Sequence, residues 1–189
     1  LNQSKDKNME LIKNLKEVSL VKNLFLAVLG TIVLAISAKV KIPFYPVPMT
    51  MQTFVVLLLG VSFGWRLGLF TITLYLIEGI AGLPVFAGTP EKGTGIVYFI
   101  GPTMGYLVGF VVAVYLTGLF KFKNNFIINF IKLVFAVSMI YLFGMLWLAK
   151  FTGWDKVFMA GAQPFLLAEF FKILLLTILI PKISKFRKL

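Results

Sequence analysis

The chain has 189 residues, 59% of them hydrophobic and 20 of them Phe, with a mean hydropathy of +0.94. That is far more apolar surface than a soluble domain of this size buries, and the uncharged runs reach the roughly 17 to 25 residues of a bilayer crossing, so the chain reads as an all-α integral membrane protein. The net charge of +12 resides mostly in Lys residues flanking hydrophobic segments, which points to topology signals and away from nucleic acid, while zero Cys and zero His exclude disulfides, thiol chemistry, the usual Zn sites and Ser/His/Asp triads.

Residues 1–19 are polar and Lys-rich and form an expected cytoplasmic N-terminal segment. The apolar run behind them, about 20–38, is too long for a typical secretory signal and reads as an uncleaved first helix. Residues 50–83 stay apolar for too long to be one helix and too briefly for two full spans with a loop. Two short helices over 52–63 and 65–80, hinged at Gly64-Trp65-Arg66, satisfy both limits. Further helices are expected at 96–120, 126–149 and 164–181, each bounded by Lys, Pro or Gly.

Six crossings rather than five follow from the charges. An even number puts both basic ends, Lys5 to Lys22 and Lys182 to Lys188, on one side together with Arg66, Lys121 and Lys123. The expected fold is therefore six transmembrane helices with structured outer loops at 39–51, 81–95 and 150–163. Residues 20–181 form the membrane domain, 182–189 a basic cytoplasmic tail, and both termini are cytoplasmic in a cell membrane.

Within the last helix, Glu169 and Lys172 interrupt the apolar run 164–180. A charge in hydrocarbon costs several kcal/mol (about 2.5–3.5 on insertion scales) unless paired or hydrated, so such residues mark a functional cavity or an internal salt bridge. Three apart on a helix, they share a face and offer a small polar ligand an acceptor and a donor. Glu78 lies at similar depth near the outer end of the third helix, where it can also reach interfacial water. The stripes Gly60/Gly64/Gly68 and Gly101/Gly105/Gly109 read as close helix packing, whereas Ala27/Thr31/Ala35 on the first helix serves either packing or docking of another membrane protein. No internal repeat is convincing, and GTPEKGTG lacks the end of a phosphate-gripping loop, so any energy from ATP must come from a partner.

The outer loops carry motifs. The run from Pro43 to Phe54 places three prolines in six residues, a stiff cap, with Thr50 and Gln52 where the second helix begins. Gly82-Leu-Pro-Val-Phe86 follows, then Gly101-Pro-Thr-Met-Gly-Tyr106, whose Pro fits a kinked or restarted helix. Together, P-x-P-x-T-x-Q-T-F, G-L-P-V-F, G-P-T-x-G-Y and the late P-F-x(3)-E-x(2)-K resemble the BioY family, the biotin-binding substrate components of energy-coupling factor transporters, over about residues 25–180.

The resemblance implies a six-helix protein that binds biotin from outside and works with two ABC-type ATPases, which use the ATP, and a transmembrane coupling protein; no cofactor or metal is implied for the chain itself. It places Glu169 and Lys172 at the ureido head of biotin, Gln52 at the pocket and Lys92 near the valerate carboxylate; Thr50 beside Gln52 is expected at the pocket as well, and the Ala27, Thr31 and Ala35 face is the expected partner dock. Phe44, Phe86 and Phe165 are expected apolar walls. The chain departs from the family pattern in carrying Glu169 where Asp is usual, in an insertion at Thr89 to Lys92, and in Met104 where Gly is common. Competing expectations are the same architecture for thiamine or riboflavin, a membrane enzyme using Glu78 or Glu169 as general acid or base, and a subunit without ligand.

Overall fold

The computed structural model describes residues 2–42, 45–91, 93–185 and 187, with side chains from residue 19 onward. Helix α1 runs from Asn2 to Lys39, so the polar stretch expected ahead of the first helix is continuous with it. The reason is local: no Gly or Pro occurs before Gly30 to break the hydrogen-bonded ladder. One side of α1 buries Ala27, Thr31, Leu34 and Ala38, and the other exposes Phe25, Val28, Ile32 and Ile36 to the surroundings that a membrane protein fills with lipid.

After α1, the chain makes a two-stranded antiparallel ribbon absent from the sequence expectation. Strand β1 (Lys41–Ile42) pairs with β2 (Met49–Thr50), Lys41 opposite Thr50 and Ile42 opposite Met49. Such short strands carry no readable alternation, and the intervening Pro46 and Pro48 disguise them as pure loop.

Helix α2 (Gln52–Ile80) is broken at Gly64, where φ 74 and ψ 177 are open only to glycine. The chain folds back there: a Cβ added at Gly68 would lie 3.8 Å from the Cα of Gly60. A straight helix would separate those residues by about 12 Å. The expected hinge and its two arms are therefore present. Gly60 and Gly68 both abut Val114 of α4 (Met104–Leu119), leaving no room for a side chain between them.

The expected helix over 96–120 is interrupted as its Gly-Pro foreshadowed. A short α3 (Ile96–Ile100) stops at extended Gly101, and the chain restarts as α4. Helix α5 (Phe126–Thr152) opens on Asn125, whose side chain accepts from the Ile128 N–H at 3.0 Å and satisfies one of the free donors of the first turn. Its Gly144 packs against the Tyr106 ring, while Gly105 and Gly109 of α4 lie against the α5 backbone, so that stripe is a packing seam. The segment expected as loop 150–163 instead contains α6 (Trp154–Gly161), reached through Gly153 at φ 77; a turn of 3-10 helix at Gln163–Phe165 then leads into α7 (Leu166–Ile183).

Four stretches are long and apolar enough to cross a membrane: Ser19–Lys39, Gln52–Ile80, Phe126–Thr152 and Trp154–Ile183; α4 is a shorter apolar helix. One end of the bundle gathers Leu20 and Lys22, Arg66 and Arg187 around a common apolar groove. Arg187 also donates to the Phe120 carbonyl at 2.9 Å and to that of Gly118, tying the end of α7 to the end of α4. The opposite end holds the ribbon, residues 81–91 and α6.

Candidate functional site

At that second end, the first turns of α2 and α7 meet. Pro164 sits in the 3-10 turn that launches α7 and places Glu169 in its first helical turn, where the positive end of the helix dipole favours a carboxylate. Lys172 follows one turn later on the same face. Its Nζ lies 2.8 Å from Glu169 Oε1, 2.6 Å from the Thr50 carbonyl and 3.0 Å from Thr53 Oγ1. An ammonium has three N–H donors, and these three acceptors occupy them all.

Thr53 completes the arrangement by donating its hydroxyl to Glu169 Oε1 at 2.8 Å. Oε1 thus receives two hydrogen bonds. Its twin Oε2 is buried and makes no well-aligned hydrogen bond among the described residues, while the Tyr141 hydroxyl approaches the same carboxylate. Glu169 and Lys172 are 5% and 8% exposed, so an unmet carboxylate oxygen here carries a real desolvation penalty. The pair is at once an internal salt bridge and an unfinished one.

Glu169 lines a narrow cavity of about 50 Å³. Thr50, Gln52 and Thr53 form one polar side, Met49 and Ala87 contribute from the outer segments, and Tyr98, Tyr106, Phe110, Tyr141 and Phe165 supply aromatic walls. The Tyr141 and Phe165 rings stack at 6.3 Å beside the carboxylate, and the Tyr106 hydroxyl donates to the Gly161 carbonyl at 2.7 Å, fixing α6 over α4. An apolar chamber with a few convergent polar groups suits a small, flat ligand. The charged group in its wall is the Glu169 carboxylate, whose negative charge Lys172 offsets.

Of the residues expected at the site, Thr50, Gln52, Phe165 and Glu169 line this cavity, and Lys172 lies directly behind Glu169 without lining it. Phe86 is placed behind the wall: its ring stacks on Tyr98 at 4.8 Å, meets Tyr75 edge-on at 5.2 Å and fills the space left by Gly79. It anchors the loop after α2 while its neighbour Ala87 reaches the cavity. Lys92 and Phe44 fall outside the described residues.

Of the small stripe of α1, Ala27 and Thr31 are 0% and 1% exposed and Ala35 is partly buried against the core, so the stripe packs largely against the chain itself. Glu78 Oε1 accepts a hydrogen bond from Thr31 Oγ1 at 2.9 Å, joining α1 to the second arm of α2. Glu78 is thereby accounted for as a fastening outside the cavity. Among the described residues, no group of three His, Cys, Asp or Glu could hold a metal.

Sequence reasoning missed several participants. Thr53 stood in the quoted Q-T-F motif and Tyr106 in G-P-T-x-G-Y, so both were within reach. Lys39, whose Nζ donates to the carbonyls of Phe86 at 3.1 Å and Thr89 at 2.8 Å and so pins the second outer loop, looked like a topology charge. Tyr75 and Tyr141 carried no local signal.

The BioY family model matches residues 6–188. A probable biotin transporter BioY from Pyrococcus horikoshii is 38% identical over 157 residues, covering 83% of this chain and 89% of the relative. The biotin transporter BioY2 of Lactococcus lactis subsp. cremoris is 37% identical over 160 residues, with 82% and 86% covered. A crystal structure of the S-component for biotin from an ECF-type ABC transporter superposes with a TM-score of 0.76 over 88% of this chain and 93% of that one, at 22% identity, a likeness of fold.

Proposed function

The chain belongs to the BioY family, and from that premise we propose that it is the biotin-capturing membrane subunit of an energy-coupling factor importer and not an enzyme. The observation that carries the reading is the buried Glu169 carboxylate in the wall of an aromatic cavity, whose Oε2 makes no well-aligned hydrogen bond among the described residues. A cyclic urea supplies what it lacks, an N–H donor, and a charge-assisted hydrogen bond in a dry pocket is about twice as strong as a neutral one. The Tyr141 and Phe165 rings offer the flat faces against which a fused bicyclic ring packs. Lys172 orients and neutralises the carboxylate from behind, so its contribution to binding runs through Glu169.

The six-crossing reading takes α1, the two arms of α2, α4, α5 and α7 as one passage each. It is supported by the clustering of Lys22, Arg66 and Arg187 at one end, the cytoplasmic one by the positive-inside rule, which sets the cavity toward the exterior. Residues 1–19 and 182–189 are then the cytoplasmic segments flanking a 20–181 membrane domain. Because the chain carries no phosphate-gripping loop, release of biotin inside is assigned to partners: two ABC-type ATPases and a transmembrane coupling protein.

Binding of labelled biotin to the purified protein, with unlabelled biotin, thiamine and riboflavin as competitors, tests the substrate. Saturable binding displaced by unlabelled biotin alone is expected; no saturable binding of labelled biotin, or displacement by thiamine or riboflavin at concentrations as low as those of unlabelled biotin, would overturn the reading.

A further inference from the structure

Gln52 presents one edge of its amide to the cavity and the other to Tyr75, and which edge is which decides what a ligand must offer. The inner edge lies 2.7 Å from the Tyr75 hydroxyl, and that hydroxyl lies 2.8 Å from the Val85 carbonyl oxygen. A carbonyl only accepts, so the Tyr75 O–H proton is directed to Val85 and a hydroxyl lone pair is left facing Gln52. The group opposite that lone pair must be a donor, the Nε2 amino group. Oε1 in its place would set two acceptors against each other beside a fully buried tyrosine, a costly arrangement. Gln52 Oε1 therefore occupies the other edge, where its neighbour is the Thr50 hydroxyl at 3.4 Å, a contact too long to use up its accepting capacity.

We propose that Tyr75 is a positioning residue that never touches the ligand: braced by Val85, it holds Gln52 with its carbonyl toward the cavity and makes it an acceptor for a ligand N–H. The proposal rests on the biotin reading above and deepens it. With Glu169 Oε2, the cavity then presents two acceptors from two different helices, a pattern that matches the two N–H groups of a cyclic urea. It also makes the polarity of the pocket depend on the second outer loop, since Val85 precedes the Phe86 to Thr89 segment that Lys39 pins.

The test is calorimetric titration of wild type, Tyr75→Phe, Gln52→Met and the double variant with biotin and with its two cyclic carbamate analogues, in each of which one ring N–H is replaced by oxygen. Wild type is expected to prefer biotin over the carbamate altered at the nitrogen facing Gln52 by at least about tenfold. In Tyr75→Phe that preference contracts, because the freed amide can turn its NH2 toward the ring oxygen. Gln52→Met contracts it equally, and adding Tyr75→Phe to Gln52→Met changes it no further. A purely structural Tyr75 would lower both affinities alike and leave the ratio intact, which overturns the proposal. Should Tyr75→Phe not fold, an unchanged ratio in Gln52→Met overturns it by itself. Wild type that fails to hold biotin would sink the functional reading, and retained biotin binding with invariant ratios would sink this inference alone.

Discussion

The two oxygens of Glu169 differ: Oε1 is held by Lys172 and Thr53, and Oε2, which makes no well-aligned hydrogen bond among the described residues, is the one proposed to meet a ligand. Removing the ammonium alone strands a buried carboxylate, so Lys172→Met is expected to lower stability by roughly 3–5 kcal/mol, read as a fall in Tm. Combining it with Glu169→Gln removes the stranded charge and should recover much of that stability without restoring biotin binding. A double variant as unstable as Lys172→Met would show that Lys172 acts through its packing and not through the carboxylate. The pair was legible in the sequence because two charges interrupt an otherwise apolar run. Tyr75 and Tyr141 were not, because a tyrosine in a membrane helix gives no sign of which way its hydroxyl turns or what it meets.

Among the elements, glycine placement decides where helices bend and how closely they pack. The hinge at Gly64 could be read from chain length, since 34 apolar residues fit neither one span nor two, and its φ of 74 explains why the break falls at that residue. The α1 stripe could not be assigned from pattern, because small residues at every fourth position suit a foreign helix and the chain's own equally. Its burial here leads to a direct expectation: Ala27→Leu should reduce thermal stability by about 1–3 kcal/mol through overpacking, in the isolated protein. A variant with unchanged Tm that lost only uptake would return the stripe to a docking role. Gly79→Ala is expected to act on the loop instead. Its methyl would collide with the Phe86 ring, loosening residues 82–89 and weakening biotin binding, as followed by titration of the variant. The ribbon β1–β2 and helix α6 escaped the sequence because each is short and its pairing or amphipathic face is set by tertiary contacts.

For the whole molecule, the claim is a chamber that opens at one end of a bundle, with Lys22, Arg66 and Arg187 gathered at the other. The natural absence of Cys makes this measurable without a background. Single substitutions Arg66→Cys and Lys185→Cys are expected to react with an impermeant maleimide only from the cytoplasmic side, and Leu83→Cys only from outside; Arg66 and Leu83 labelled from the same side would refute the hairpin passage through the membrane. Biotin at about 100 times its Kd should add about 2.7 kcal/mol to unfolding stability, provided it binds the folded state alone. The most direct measurement of the central claim is calorimetric titration of biotin into purified wild type and Glu169→Ala. Saturable one-site binding to wild type is expected, with a loss of affinity of at least about tenfold, in line with a hydrogen bond to a charged group, once the carboxylate is removed. Equal affinity in the two proteins would contradict it.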